Sequence, residues 1–107
     1  PIALGYQPVG HKRREGDGRT PEGLYHITHQ VSPSAFHRSF AISYPNRTDR
    51  QNAARRRVSP GGDICLHGTG GRKVSGDWTA GCIALSDTHM DEINRLLRPG
   101  MAIRIQA

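Results

Sequence analysis

The sequence predicts a mainly β fold with two helices, organised as one small domain over residues 1–107. Short apolar segments recur along the chain, each bounded by Gly, Pro, Ser or Asn, which is the pattern of strands joined by turns. A chain of 107 residues buries one modest core and leaves no room for a second domain. In chain order, the predicted strands are Ile2–Tyr6, Gly23–Val31, Ser39–Tyr44, Asp63–His67 and Met101–Ile105.

Two further segments carry helix signals. The first predicted helix, Thr48–Arg57, follows a Pro-Asn turn. The second, Asp87–Leu97, has Ser86 as its N-cap and stops before a Pro-Gly pair. Its apolar residues share one face, so we expect all four to pack on the sheet as core: Met90, Ile93, Leu96 and Leu97.

The basic composition favours an anionic partner. Fifteen Lys and Arg residues against nine Asp and Glu give a formal charge of +6. Nucleic acid would qualify, and the run Arg55-Arg56-Arg57 supports that alternative. Aromatic residues make up only 6% of the chain and no nucleic-acid module signature is present, so we interpret the run as a solvated helix face and expect no nucleic-acid partner.

A histidine and a cysteine, separated by a Gly-rich stretch, carry the main chemical signal. His67 ends a predicted strand, and Cys82 follows in the segment Thr79-Ala80-Gly81-Cys82. A thiol is weakly ionised at neutral pH and needs a nearby imidazole to become a nucleophile. Gly81 permits an unusual backbone angle, and amides around Cys82 could stabilise an oxyanion. The alternative is an inert buried thiol in an apolar run.

The pattern resembles the signature of the L,D-transpeptidase (YkuD-type) catalytic domain, a family of bacterial cell-wall enzymes. That signature is a histidine, a spacer and Ser/Thr-x-Gly-Cys, which His67 and the segment Thr79–Cys82 match in order. Upstream, Thr20-Pro21-Glu22-Gly23 is similar to the family's Thr-Pro-x-Gly turn. The segment Phe36–Asn46 and the run after Gly81 are similar to a narrower periplasmic branch, the YafK-type enzymes.

The resemblance implies a β-sandwich or barrel-like catalytic fold. The family domain usually begins with a strand pair ahead of the stretch that starts here at Ile2, so we expect the pair to be missing and a sheet edge to be uncovered. No signal peptide or membrane-spanning run is visible, and the chain opens with Pro1, so a secretion signal or anchor would have preceded it. The family implies a periplasmic or cell-envelope location, and we expect a monomer.

The implied activity is acyl transfer through a Cys82 thioester, without a cofactor. Cys82, deprotonated by His67, would attack the carbonyl of the L-centre of a diaminopimelate residue in a peptidoglycan stem peptide. The Gly68 carbonyl would orient the imidazole, and Thr79 would support the loop or the acceptor side. An amine acceptor would give a cross-link, whereas water would give a carboxypeptidase or an amidase that releases a wall-attached lipoprotein. The YafK-type branch is associated with the releasing outcome.

Two departures from the family pattern affect substrate recognition. Many members have a second histidine before the Gly-Cys pair and an arginine two residues after the cysteine, where this chain has Ala80 and Ala84. Residues that flank the matched motifs are then the candidates for contact with substrate and its carboxylates: Arg19, Arg72, Lys73 and, as a site neighbour, His37.

Cys65 leaves two further alternatives open. It lies two residues before His67 and so on the same face of the strand, which allows a disulfide with Cys82 as an alternative to a buried free thiol. A zinc site formed by these three residues is the metal alternative, but their spacing follows no common zinc pattern, so we expect no metal. A non-catalytic domain that binds the wall or nucleic acid through its basic face is the alternative to an enzyme.

Overall fold

The computed structural model describes residues 2–32, 37–71 and 73–106. Arg72, one of the predicted substrate-contacting residues, lies outside the described residues. The elements in chain order are β1 (Gly23–Val31), β2 (Ser39–Ile42), α1 (Arg47–Arg55), β3 (Cys65–His67), β4 (Ile83–Ala84), α2 (Asp87–Asn94) and β5 (Ala102–Ile105). The described residues therefore confirm the predicted mainly β fold with two helices.

The strands form one sheet in the order β4-β3-β2-β1-β5. β1 pairs antiparallel with β2 and β5, and β2 pairs antiparallel with β3. β3 and β4 are parallel, with Leu66 opposite Ile83 and His67 opposite Ala84. This pairing places the start of β4 beside β3, although a long loop separates them in sequence.

The core lies between the sheet and α2. Ile27 and Met90 are fully buried, and Phe40, Leu66 and Ile83 are nearly so. Burial of side chains of this size contributes about 1.5 to 3 kcal/mol each. Met90 therefore fixes α2 against the sheet, as its place on the apolar face predicts.

Capping explains where α1 begins. The Asn46 side chain accepts a hydrogen bond from the Asp49 amide at 2.9 Å, and the Asp49 carboxylate accepts one from the Asn46 amide at 3.0 Å. The helix ends at Arg55, and the chain leaves helical geometry at Arg57, where φ is +57°. The predicted helix, Thr48–Arg57, began one residue late and ended two residues late.

Three other sequence predictions need correction. Ile2–Tyr6 is not a strand but forms isolated bridges, Ala3 with Ala84 and Gly5 with Thr79. The short β4 was not predicted. α2 ends at Asn94, and Leu96, expected in the core, is 69% exposed. The Leu96 amide bonds the Ile93 carbonyl at 2.8 Å, a tighter turn that rotates Leu96 away from the apolar face.

No helix in the described ranges is long and apolar enough to cross a membrane.

Candidate active site

The loop between β3 and β4 is held at its first turn by α2. The amides of Thr69, Gly70 and Gly71 donate to the Asp87 carboxylate at 2.7 to 3.1 Å. Burial raises the pKa of Asp87, but the hydrogen bonds from these three amides lower it, and the pKa stays below its ordinary value. The charged carboxylate therefore ties the loop to the N-terminus of the helix.

The other end of the loop is held by residues 2–6, which we call the N-terminal strap. Ala3 and Ala84 exchange two hydrogen bonds of 2.8 Å each. The Thr79 amide donates to the Leu4 carbonyl, and the Thr79 carbonyl accepts from Tyr6. The strap thus contacts the chain on both sides of Cys82 and fixes its position along the edge of β3.

Thr79 and Gly81 shape the turn before the cysteine. The Thr79 hydroxyl donates to the Cys82 carbonyl at 2.6 Å and accepts from the Gly81 amide at 3.1 Å. Gly81 has φ +149°, and a Cβ there would lie 2.9 Å from the Arg19 carbonyl oxygen and 3.1 Å from Ile64. Both the backbone angle and the close approach require glycine.

His67 is buried at the end of β3 with its orientation fixed. Its Nδ1 lies 2.6 Å from the Gly68 carbonyl oxygen. A carbonyl only accepts hydrogen bonds, so Nδ1 carries the proton and Nε2 is left for the cysteine. The Trp78 ring packs edge-on against the imidazole with centroids 5.8 Å apart, which limits its rotation.

Cys82 is hydrogen-bonded to Cys65 and His67, the two residues that the sequence predicts beside it. Its Sγ accepts from the Cys65 amide at 3.3 Å, and both the Cys65 side chain and the His67 imidazole hydrogen-bond it. The Cys65 hydrogen bond, together with His67 and against the effect of burial, lowers the pKa of Cys82 from 9.0 to about 5. The surroundings of Cys82 therefore favour its thiolate, and its Sγ also lies 3.5 Å from the Asp63 carbonyl oxygen.

Cys82 borders a cleft with a volume of 290 Å³. Its walls are rich in glycine, and three charged side chains reach it: Lys12, Glu15 and Asp63. Lys12 is 3% exposed, and its Nζ lies 3.0 Å from Asp17. A Cβ at Gly81 would be 3.5 Å from that Nζ, so a buried cation lies directly beside the turn that presents Cys82.

Three of the residues predicted to contact substrate, Arg19, Lys73 and His37, do not line this cleft. The Arg19 side chain borders a neighbouring cleft of 490 Å³, and Lys73 is exposed. His37 is paired with Asp91 on α2, with Nε2 2.6 Å from Oδ1. We call Arg19's cleft the arginine cleft, and its lining residues are Gln7, Arg13, Arg14, Asp17, Arg19, Arg56 and Val58.

Two residues beside the site were missed by sequence reasoning. Lys12 lies in the polar stretch 10–19, and nothing in its spacing points to Cys82. Trp78 directly precedes the Thr-x-Gly-Cys segment and is the only tryptophan in the chain. That position was the one available signal for a residue packed on the histidine.

Both cysteines are free thiols. Among the described residues, no group of three or more His, Cys, Asp and Glu side chains is arranged to hold a metal ion. Cys65, His67 and Cys82 form a hydrogen-bonded cluster.

Comparison with known proteins identifies the family of this chain. The family model of the L,D-transpeptidase catalytic domain, YkuD, matches residues 1–105. The chain belongs to the YkuD family. Membership confirms the resemblance and the YkuD-like fold that the two motifs predict.

Individual members of the YkuD family are similar over most of this chain. YafK of Escherichia coli strain K12 is 31% identical over 90 residues, which cover 79% of this chain and 30% of YafK. This chain therefore matches less than a third of YafK's length.

Solved structures of the same fold cover nearly the whole chain. The helical cell shape determining protein Pgp2 from Campylobacter jejuni has a TM-score of 0.74 at 27% identity, over 98% of this chain and 39% of Pgp2. Bd1075 from Bdellovibrio bacteriovorus has a TM-score of 0.69 at 22% identity, over 99% of this chain and 37% of Bd1075, and supports the fold alone.

Proposed function

We propose that this chain is a cysteine acyl-transfer domain that acts on peptidoglycan stem peptides through a Cys82 thioester. The observation that carries the proposal is the placement of Cys82 at the wall of an open cleft, beside a buried His67 whose orientation is fixed by Gly68 and which lowers the pKa of the thiol. A buried structural cysteine has no need of an imidazole partner or of access to a cleft.

In the first half-reaction, the Cys82 thiolate attacks a peptide carbonyl in the cleft. The carbon–sulfur bond forms as the carbonyl π electrons move to oxygen. The tetrahedral intermediate then expels the amine, which takes a proton from His67, and the thioester remains. Gly68 keeps the proton on Nδ1, so Nε2 takes the proton of the Cys82 thiol before the attack and gives that proton to the leaving amine.

The oxyanion donors differ from a simple pair of adjacent amides. The Gly81 amide already donates to Thr79, whereas the Cys82 amide has no acceptor among the described residues. We assign the Cys82 amide as an oxyanion donor, and a well-placed donor of this kind contributes roughly 3 to 4 kcal/mol. Gly81 then acts by allowing the turn that frees this amide.

The proposed substrate class rests on the family and on charge. YkuD-family membership supports a peptidoglycan peptide, with attack at the L-centre of its diaminopimelate residue. Such peptides carry free carboxylates, which suit a chain of formal charge +6 and a cleft that contains Lys12. Ala84 stands where many family members have an arginine, and it is buried, at 2% exposed. We therefore assign carboxylate recognition to Lys12 and the arginine cleft.

In the second half-reaction, water or an amine takes the acyl group from Cys82. We propose water as the acceptor, which makes the domain a carboxypeptidase or an amidase that releases a wall-attached protein. The releasing outcome associated with the YafK-type branch, which the segment Phe36–Asn46 resembles, is the reason for this order of preference. The proposed setting is the periplasm or cell envelope.

The test is incubation of the purified chain with soluble stem tetrapeptides that contain diaminopimelate, followed by mass spectrometry. We expect loss of the terminal residue with water as acceptor, and dimeric products if an amine acts instead. Cys82→Ala and His67→Ala should abolish both products, whereas Lys73→Ala, an exposed cation outside the cleft, should retain them. Unchanged peptides with the intact chain would favour the non-catalytic wall-binding alternative.

A further inference from the structure

Cys65 lies beside Cys82 because of strand register. Leu66 pairs with Ile83 in the parallel β3–β4 ladder, so the residues just before them, Cys65 and Cys82, are also neighbours. The Cys65 amide donates to Cys82 Sγ at 3.3 Å. Both side chains are half-buried, so little water competes for the contact between them.

The contact is asymmetric between the two sulfurs. The hydrogen bond to Cys82, burial and the nearby Asp63 carboxylate all raise the pKa of Cys65. His67 is among the groups that lower the pKa of Cys82. These opposite directions favour Cys65 as the donor and Cys82 as the acceptor of the contact.

We propose that Cys65 is a positioning residue for the nucleophile, a role that rests on the proposed catalysis by Cys82. Its amide donates to Cys82 Sγ at 3.3 Å, and we assign its thiol as a second donor to the same sulfur, which lies at the cleft beside His67. A residue needed only for packing would not have to carry a donor at its side-chain end.

The contact changes during the reaction in a defined way. A thioester sulfur is a much weaker hydrogen-bond acceptor than a thiolate, so the Cys65 thiol loses most of this bond when the acyl group is attached. The bond returns when the acyl group leaves, and it therefore favours expulsion of the Cys82 thiolate in the second half-reaction.

The donor also has opposite effects on ionisation and on nucleophilicity. It keeps Cys82 ionised at lower pH, but a thiolate of lower pKa is intrinsically less reactive. Without the donor, we expect a Cys82 that is slower to react in mildly acidic solution and faster in alkaline solution. A general loosening of the site would slow the reaction at every pH.

The test is the rate of Cys82 alkylation by iodoacetamide as a function of pH, read on the Cys82 peptide by mass spectrometry. For Cys65→Ala we expect the midpoint of the rate profile to rise by about one to two pH units, with the rate curves crossing that of the unmodified chain. Cys65→Ser keeps a side-chain donor and should restore much of the low midpoint.

The matched control is Leu66→Val, which trims a buried neighbour on the same strand without touching either sulfur's donors. Its midpoint should equal that of the unmodified chain. Thermal unfolding of each variant identifies any that fails to fold, in which case Cys65→Ser provides the comparison. An unshifted midpoint in folded Cys65→Ala or an equal loss of rate at every pH in that variant would overturn the proposal.

Alkylation needs only the thiolate and no peptidoglycan. A shifted midpoint in a chain that leaves stem tetrapeptides unchanged would uphold the hydrogen-bonding role of Cys65 while the proposed function fails. Turnover of tetrapeptides with an unshifted midpoint in Cys65→Ala would remove the role of Cys65 and leave the proposed function standing.

Discussion

Gly81 is the residue whose replacement should be most damaging relative to its size. A methyl group there meets the Arg19 carbonyl at 2.9 Å, at a φ of +149° that side chains rarely adopt. We expect Gly81→Ala to lower the free energy of unfolding by about 1 to 3 kcal/mol and to remove the fast alkylation of Cys82. Chemical denaturation and iodoacetamide labelling at pH 7 measure the two effects.

Gly76→Ala is the matched comparison, because Gly76 also has positive φ, at +62°, but no atom lies within 4 Å of its Cβ position. It should cost about 1 kcal/mol and leave alkylation unchanged. Equal behaviour of the two variants would show that the close approach at Gly81 is unimportant.

The adjacent thiols also predict a defined response to peroxide. The Cys82 thiolate attacks the O–O bond to give a sulfenic acid, and the neighbouring Cys65 thiol displaces water from it to form a disulfide. We expect the intact mass to fall by about 2 Da, with recovery after dithiothreitol. Cys65→Ala should instead gain oxygen atoms, and a gain of oxygen in the unmodified chain would contradict the expectation.

At the scale of elements, α2 separates core from surface within a few residues. Met90 is fully buried, whereas Leu96 is 69% exposed just beyond the end of the helix. We expect Met90→Ala to lose about 2 to 5 kcal/mol of unfolding free energy and Leu96→Ala less than about 0.5. Urea denaturation at pH 7 measures both, and a large loss for Leu96→Ala would mean that this turn packs on another surface.

Local sequence predicted the elements that have local causes. β1 has the bounds that its apolar segment and flanking glycine indicate, and the Ser86 cap marks the start of α2. β4 has only two residues, and its pairing depends on β3 rather than on its own composition. Ile2–Tyr6 looks like a strand in composition, yet it makes only bridges, because its partners are the loop residue Thr79 and the end of the two-residue β4, on either side of Cys82.

The candidate site shows the same division. The motif placed His67 and Cys82 in the chain, and glycine content indicated the turn between them. Lys12 could not be predicted, because its nearness to Gly81 depends on its ion pair with Asp17 and on the folded path of residues 12–20. Arg19, Lys73 and His37 were chosen for lying near the motifs, and they do not line this cleft, since sequence proximity does not fix the direction of a long side chain.

At the scale of the whole molecule, the site is assembled from segments that are far apart in the chain. His67 comes from the end of β3, Cys82 from the loop just before the edge strand β4, and Lys12 from the segment before β1. Lys12, which lines the cleft of Cys82, is followed directly in the chain by Arg13 and Arg14, which line the arginine cleft. The segment before β1 therefore supplies cations proposed to hold an acidic peptide.

The N-terminal strap has a consequence for the order of folding. The Leu4 amide and the Asp77 carboxylate that accepts its hydrogen bond are 73 residues apart, and the bridge from Ala3 to Ala84 closes a loop of similar length. Contacts of such separation are costly in chain entropy and form late. We expect the β1–β2 hairpin to form well before the turn that precedes Cys82. The Cys82 thiol would then become reactive only when folding is complete.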